Sequence, residues 1–173
     1  MAFDTDNPEI DSQTFSRVEA LLGRAPRGLR AVPVSQPSGE PMVIRVASLV
    51  DEKPFPTLYW LIDPSLCYRI DQVEASGQIK RFQQEIDAQE ELQASMRGDH
   101  LVHIQQRADF MSKEQRQQIE RLGYAEVFKQ KGIGGISDFT RIRCLHTWYA
   151  AHLVEPNTVG GMLDGWWAQE QQP

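Results

Sequence analysis

Between residues 29 and 62 apolar and β-branched residues recur with the short period of strands, and at Asp63-Pro64 the repeat lengthens to that of a helix. That change of period divides the chain into a strand-forming part and a helix-forming part. It predicts an α+β fold, a small antiparallel sheet of about three strands packed against several helices. The runs Leu29 to Val34 and Met42 to Val50 flank Pro37-Ser38-Gly39-Glu40, a turn sequence, and therefore read as a hairpin. A third run, Thr57 to Ile62, follows Lys53-Pro54-Phe55-Pro56, whose prolines lack donors and belong at a strand's start or on an edge. At the switch itself Asp63 suits an N-cap and Pro64 the first helical position, where a missing N–H costs nothing.

Helical spacing elsewhere places Phe15, Val18, Leu21 and Leu22 on one stripe between an expected cap at Ser12 and a stop at Gly23. Leu66, Ile70 and Val73 form the next stripe, which Gly77 ends. Residues 80 to 131 balance acidic against basic side chains and are rich in glutamine, so they read as a largely solvated helical region. Gly98 is expected to break it once, and Ser112 with Gln115 has the form of a capping box for a helix that Gly123 ends. A glycine-rich loop, Gly132-Ile133-Gly134-Gly135, precedes a final central helix capped by Ser137 or Asp138 and ending before Pro156. The expected organisation is a flexible acidic leader over 1–11, one globular domain over 12–160 and a C-terminal tail over 161–173. Trp166 and Trp167 in that tail either pack back onto the domain or form an exposed patch.

A formal charge of −6 disfavours general attraction to nucleic acid or anionic lipid, so neither is an expected partner. Two cysteines, Cys67 and Cys144, make neither a disulfide framework nor a four-cysteine zinc site, which points to a reducing, cytoplasmic setting. The acidic N-terminus is unlike a signal peptide, and no apolar run is long enough to span a membrane. Two local basic islands stand against the negative total. Arg24, Arg27 and Arg30 lie on a proline-bearing loop, and Arg141 and Arg143 follow the glycine loop. If the islands meet, Arg24, Arg27, Arg143 and His146, with the amides of Gly134 and Gly135 at a helix N-terminus, make a site for phosphate or carboxylate.

No cofactor is implied, and no metal site is fixed: His100 and His103 share a helical face, but no motif supplies further ligands, and a polar surface helix accounts for both. Cys144 and His146 are the candidate catalytic side chains. On a helix beginning near residue 138 they stand about 160° apart, too far round the axis to pair, so a dyad requires His100 or His103 instead. Should a reaction occur, His146 is the general acid or base. The alternative is a non-catalytic adaptor that docks on a partner protein through the helical region and the tryptophans.

Several stretches resemble a bacterial family catalogued as domain of unknown function 501. They are Leu22-Gly23-Arg24-Ala25-Pro26-Arg27-Gly28, Gly39-Glu40-Pro41-Met42-Val43, Pro54 to Leu61, Glu74-Ala75-Ser76-Gly77, and Gly134-Gly135-Ile136 leading to Arg141-Ile142-Arg143-Cys144-Leu145-His146. The resemblance runs from residue 22 to about 160 and implies no defined activity. Family members often carry a close cysteine pair before the second strand and a Cys-Pro after the third; this chain has Ser35, Ser38 and Asp63-Pro64 there.

Overall fold

The computed structural model describes residues 10–170. In chain order they form α1 (Ser12–Leu22), β1 (Leu29–Ser35), β2 (Pro41–Val46), β3 (Leu49–Val50), β4 (Lys53–Pro54), β5 (Tyr59–Leu61), α2 (Pro64–Ala75), α3 (Gln78–Asp87) and α4 (Glu90–Asp109). Then come α5 (Lys113–Arg121), α6 (Ala125–Gln130), a 3-10 turn (Ile133–Gly135), α7 (Leu145–Val154) and α8 (Thr158–Glu170). The fold is α+β. β1, β2 and β5 form an antiparallel sheet in that order, and β3 with β4 makes a small second ladder.

Local chemistry sets most of these boundaries. Asp63 caps α2 by accepting from the Leu66 N–H at 2.8 Å, with Pro64 at the first helical position. Ser112 and Gln115 close a reciprocal capping box on α5. Gly23 ends α1 at a positive φ of 67°, where glycine pays no Cβ penalty. Asp11 rather than Ser12 caps α1, accepting from Thr14 N–H at 2.8 Å. The rest of the expected acidic leader, residues 1–9, lies outside the described residues.

Strand alternation sends β2 to both faces of the sheet. Val43 joins Leu58, Tyr59 and the buried faces of α2, α7 and α8, whereas Ile44, Val46 and Ile62 pack with Val18 of α1. α7 runs through the larger cluster with Leu145, Trp148, Tyr149, Ala150 and Ala151 all buried, as a helix apolar on most sides must be. α8 occupies residues that the sequence places partly in a tail: Val159, Leu163 and Trp167 belong to this same core. Arg69 lies over the Trp167 ring at 4.1 Å, so that tryptophan is packed back rather than displayed.

The middle region departs from expectation in two ways. Gly98 does not break α4, which is continuous over twenty residues. Its buried line of Met96, His100, His103 and Arg107 gains more by staying on one helix than a single glycine costs. The two histidines are therefore core residues, 0% and 4% exposed, and not part of a polar surface. His100 stacks on Phe139, meets the edge of Trp148 and accepts the Ile133 N–H through Nδ1 at 2.9 Å. Gly132 makes room for it, since a Cβ there would stand 2.1 Å from Nδ1. At the end of the line the Arg107 guanidinium, 1% exposed, donates to the carbonyls of Pro56 (2.7 Å), Lys131 (2.6 Å) and Phe128. This one side chain ties α4 to the lead-in of β5 and to the end of α6.

Lysine cannot reproduce a planar fork that serves three carbonyls. Arg107→Lys is expected to lose about 2–4 kcal/mol of unfolding free energy, read from urea denaturation. Burial pushes His100 down to about 4 and His103 down to about 3 from the usual 6.5. At these two positions the unfolded chain binds more protons below about pH 6.5, so their contribution to stability is complete well above that pH and declines as acid is added, by up to about 1.4 kcal/mol per pH unit for each histidine. Chemical denaturation between pH 7 and 5 should show that slope, and His103→Leu should reduce it by about half.

Candidate functional site

One face of α2 and the start of α7 bring five functional groups together. Cys67, Asp71 and Glu74 recur at intervals of four and three residues, so they stand along one line of α2. Opposite them, Cys144 is the N-cap of α7 with an extended backbone (φ −152°, ψ 125°), and His146 is in the first turn. Glu74 Oε1 accepts the Leu145 N–H at 2.7 Å, placing a carboxylate on the positive end of α7. The same oxygen is 3.4 Å from His146 Nδ1, and Cys144 Sγ is 3.7 Å from that nitrogen. On the other side of the ring, Nε2 faces Asp71 Oδ1 at 3.2 Å and the Cys67 carbonyl at 3.3 Å. Glu74, Cys144 and His146 are each half-buried, and one ligand-type atom from each lies within 4.8 Å of the others.

The electrostatics follow from this packing. The bond to the Cys144 sulfur raises His146 to about 9, against the opposing effect of burial and with help from Glu74 and the Cys67 carbonyl. Burial pushes the Cys144 thiol up, but the bond with His146 and the Thr147 N–H outweigh it and hold it below the ordinary thiol range. Cys67 goes the other way, driven to about 11 by burial and then by Asp71 and Asp63. Its thiol bonds to the Leu61 carbonyl at 3.6 Å and behaves as a packing residue.

The Cys144–His146 pairing overturns the angular argument made from sequence. α7 begins at Leu145, seven residues after Asp138, because side chains take the amides that a longer helix would have used. Asp138 Oδ1 accepts from Thr140 N–H at 3.1 Å, Gln83 Oε1 from Ile142 N–H at 2.9 Å, and Glu74 from Leu145 N–H. Cys144 is thus outside the helix, and the 100° rule does not apply between it and His146. Neither His100 nor His103 takes part.

The arginine islands do not meet. Arg24 lies over Trp60, 5.2 Å from the ring centroid, and Arg27 pairs with Asp51, both beside the cluster that packs on α1. Arg143 is exposed and follows Ile142, which belongs to the helical layer on the other side of the sheet. Arg141 pairs with Asp87 at 3.2 Å. The glycine loop is filled from within: a Cβ on Gly134 would stand 2.8 Å from Thr147 Oγ1, and the Gly135 N–H donates to the Gly132 carbonyl. The helix end read as an anion site already holds an anion, the chain's own Glu74.

No helix among the described residues is long and apolar enough to cross a membrane. Residues 32–164 match the family described as protein of unknown function (DUF501), which covers most of the chain. The chain belongs to the DUF501 family. No curated protein and no solved structure matches it. Within this DUF501 chain the sequence singles out Cys144 and His146 but not Asp71 and Glu74, which the fold places beside them. The signal for them was the Glu74-Ala75-Ser76-Gly77 stretch and the spacing of Cys67, Asp71 and Glu74 on one helical line.

Removing the capping carboxylate leaves the Leu145 amide half-buried and unpaired. Glu74→Ala is expected to cost about 1–2 kcal/mol and Glu74→Gln, which keeps an acceptor, less than half of that, both measured by urea denaturation.

Proposed function

We propose that Glu74, Cys144 and His146 are the ligands of a transition-metal site and that this DUF501 chain is a metal-binding protein. The observation that carries the reading is the spacing of the donor atoms. Around a zinc-sized ion with bonds of about 2.0–2.3 Å, tetrahedral geometry places sulfur and nitrogen about 3.5 Å apart and nitrogen and oxygen about 3.4 Å apart. The corresponding separations are 3.7 Å for Cys144 Sγ to His146 Nδ1 and 3.4 Å for His146 Nδ1 to Glu74 Oε1.

The surroundings of the imidazole support it. A metal-bound histidine gives its second ring nitrogen to a carboxylate or a backbone carbonyl, which fixes the tautomer, and His146 Nε2 has both in Asp71 and Cys67. Nδ1 faces the Cys144 sulfur and Glu74 Oε1, the two other atoms that would complete the ligand set. A mixed sulfur, nitrogen and oxygen set selects zinc, cobalt or iron over calcium or magnesium. Three protein ligands leave a fourth position for water or an anionic donor, the arrangement of sites that polarise a bound group. The phosphate or carboxylate expected from sequence would enter here as a fourth ligand, in place of the helix amide that Glu74 occupies.

Titration with Co²⁺ tests the assignment directly. One equivalent is expected to bind, with visible bands of tetrahedral intensity and a near-ultraviolet sulfur-to-cobalt band; Zn²⁺ should displace it and raise the melting temperature. Cys144→Ser should abolish the sulfur band, and His146→Gln should weaken binding at least tenfold. A wild-type chain with no sulfur band removes the metal reading. Selective alkylation of Cys144 by iodoacetamide in that case points to a thiol nucleophile at the same centre.

A further inference from the structure

A second recess lies on the α1 side of the sheet, separated by β2 from the Glu74–Cys144–His146 centre. It encloses about 290 Å³, near the lower end of small-ligand sites. Its floor is apolar, with Ile44 buried and Phe55 and Trp60 half-buried, and its rim carries Arg24, Arg27 and Lys53. We infer that this recess binds a small amphiphilic organic anion, its apolar body on Ile44, Phe55 and Trp60 and its carboxylate on Arg24 and Lys53.

The charge balance of the rim supports an anionic guest. Among the described residues Arg24 makes no ion pair, and its guanidinium lies over the face of Trp60. Lys53 is exposed and has no ion pair among the described residues. Arg27 pairs with Asp51 at 3.2 Å, but both side chains are largely in water, and such a pair contributes little and opens readily. Three cations against one carboxylate leave a positive rim above an apolar floor on a chain that is acidic overall. An arginine fork above an aromatic ring matches a planar carboxylate better than a hydrated point charge does.

The wall that carries the arginines is preorganised. Arg27 N–H donates to the Ala25 carbonyl at 2.9 Å and Leu29 N–H to the Pro26 carbonyl at 3.1 Å, so the loop is braced internally. Gly28, at a φ of 75°, lies so close to β3 that a Cβ would stand 2.7 Å from Val50 Cγ2, and its carbonyl accepts from Ala47 N–H at 2.7 Å. A loop held this way loses little freedom on binding. The site is independent of the metal reading and survives its failure.

Calorimetric titration of the full chain with 1-naphthoate is the test, with 1-naphthalenemethanol and inorganic phosphate as comparisons. Naphthoate is expected to bind one to one, with the neutral alcohol and phosphate each at least tenfold weaker. Arg24→Gln and Lys53→Gln, both on the surface, should each weaken naphthoate several-fold, and the double variant at least tenfold; Arg143→Gln, on the other face, should leave affinity unchanged. Absence of binding at millimolar naphthoate overturns the inference. So does equal binding of the alcohol, equal binding of phosphate, or an affinity indifferent to the double variant.

Discussion

The carboxylate of Glu74 on the first amide of α7 is the contact from which the rest of the centre follows. A helix N-terminus presents unsatisfied N–H groups and a positive field, and it will accept whichever anion is brought to it. Here α2 brings Glu74, 71 residues earlier in the chain. Because that bond fixes Leu145 as the first helical residue, Cys144 is left extended at the cap, and its sulfur can swing alongside the ring two residues on. A start one turn earlier would have wound Cys144 and His146 onto separate sides of one helix. Capping and site assembly are therefore a single event.

What the sequence discloses and what it hides divide along the range of the interactions involved. The cap at Asp63, the proline after it, the Ser112–Gln115 box and the hairpin turn before β2 all involve residues within a few positions of one another, and all four stand where composition places them. α7 starts six or seven residues later than a cap at Asp138 or Ser137 predicts because its competitors for backbone amides, Gln83 and Glu74, are distant in sequence. His100 and His103 read as surface residues for the same reason. His100 packs against Gly132, Phe139 and Trp148, and His103 against Tyr59, none of which neighbours its partner along the chain. Arg107 was invisible as a structural residue, since nothing local marks an arginine whose partners are three carbonyls from two other regions. Of the residues proposed for function, Cys144 and His146 lie together, while Arg24 and Arg27 were grouped with them by charge and are separated from them by the sheet.

That sheet is narrow, and β2 is its middle strand, so neighbouring residues of one strand belong to different sides of the protein. Val43 contributes to the layer that carries α2 and α7, and Ile44 to the recess under the arginine loop. The residues lining that recess and the Glu74–Cys144–His146 group have no side chain in common. The buried arginine and histidine line of α4 lies on the helical side, where it braces the lead-in to β5 without entering either site.

β1 borders the sheet on one side only, pairing with β2 through a ladder whose register shifts three times, and it contains Pro33 with its side exposed. A foreign strand arriving at that border would meet a missing donor and a backbone whose spacing does not repeat. The irregularity that makes β1 a poor strand thus makes this one of the sheet's two edges a poor template for a neighbouring strand.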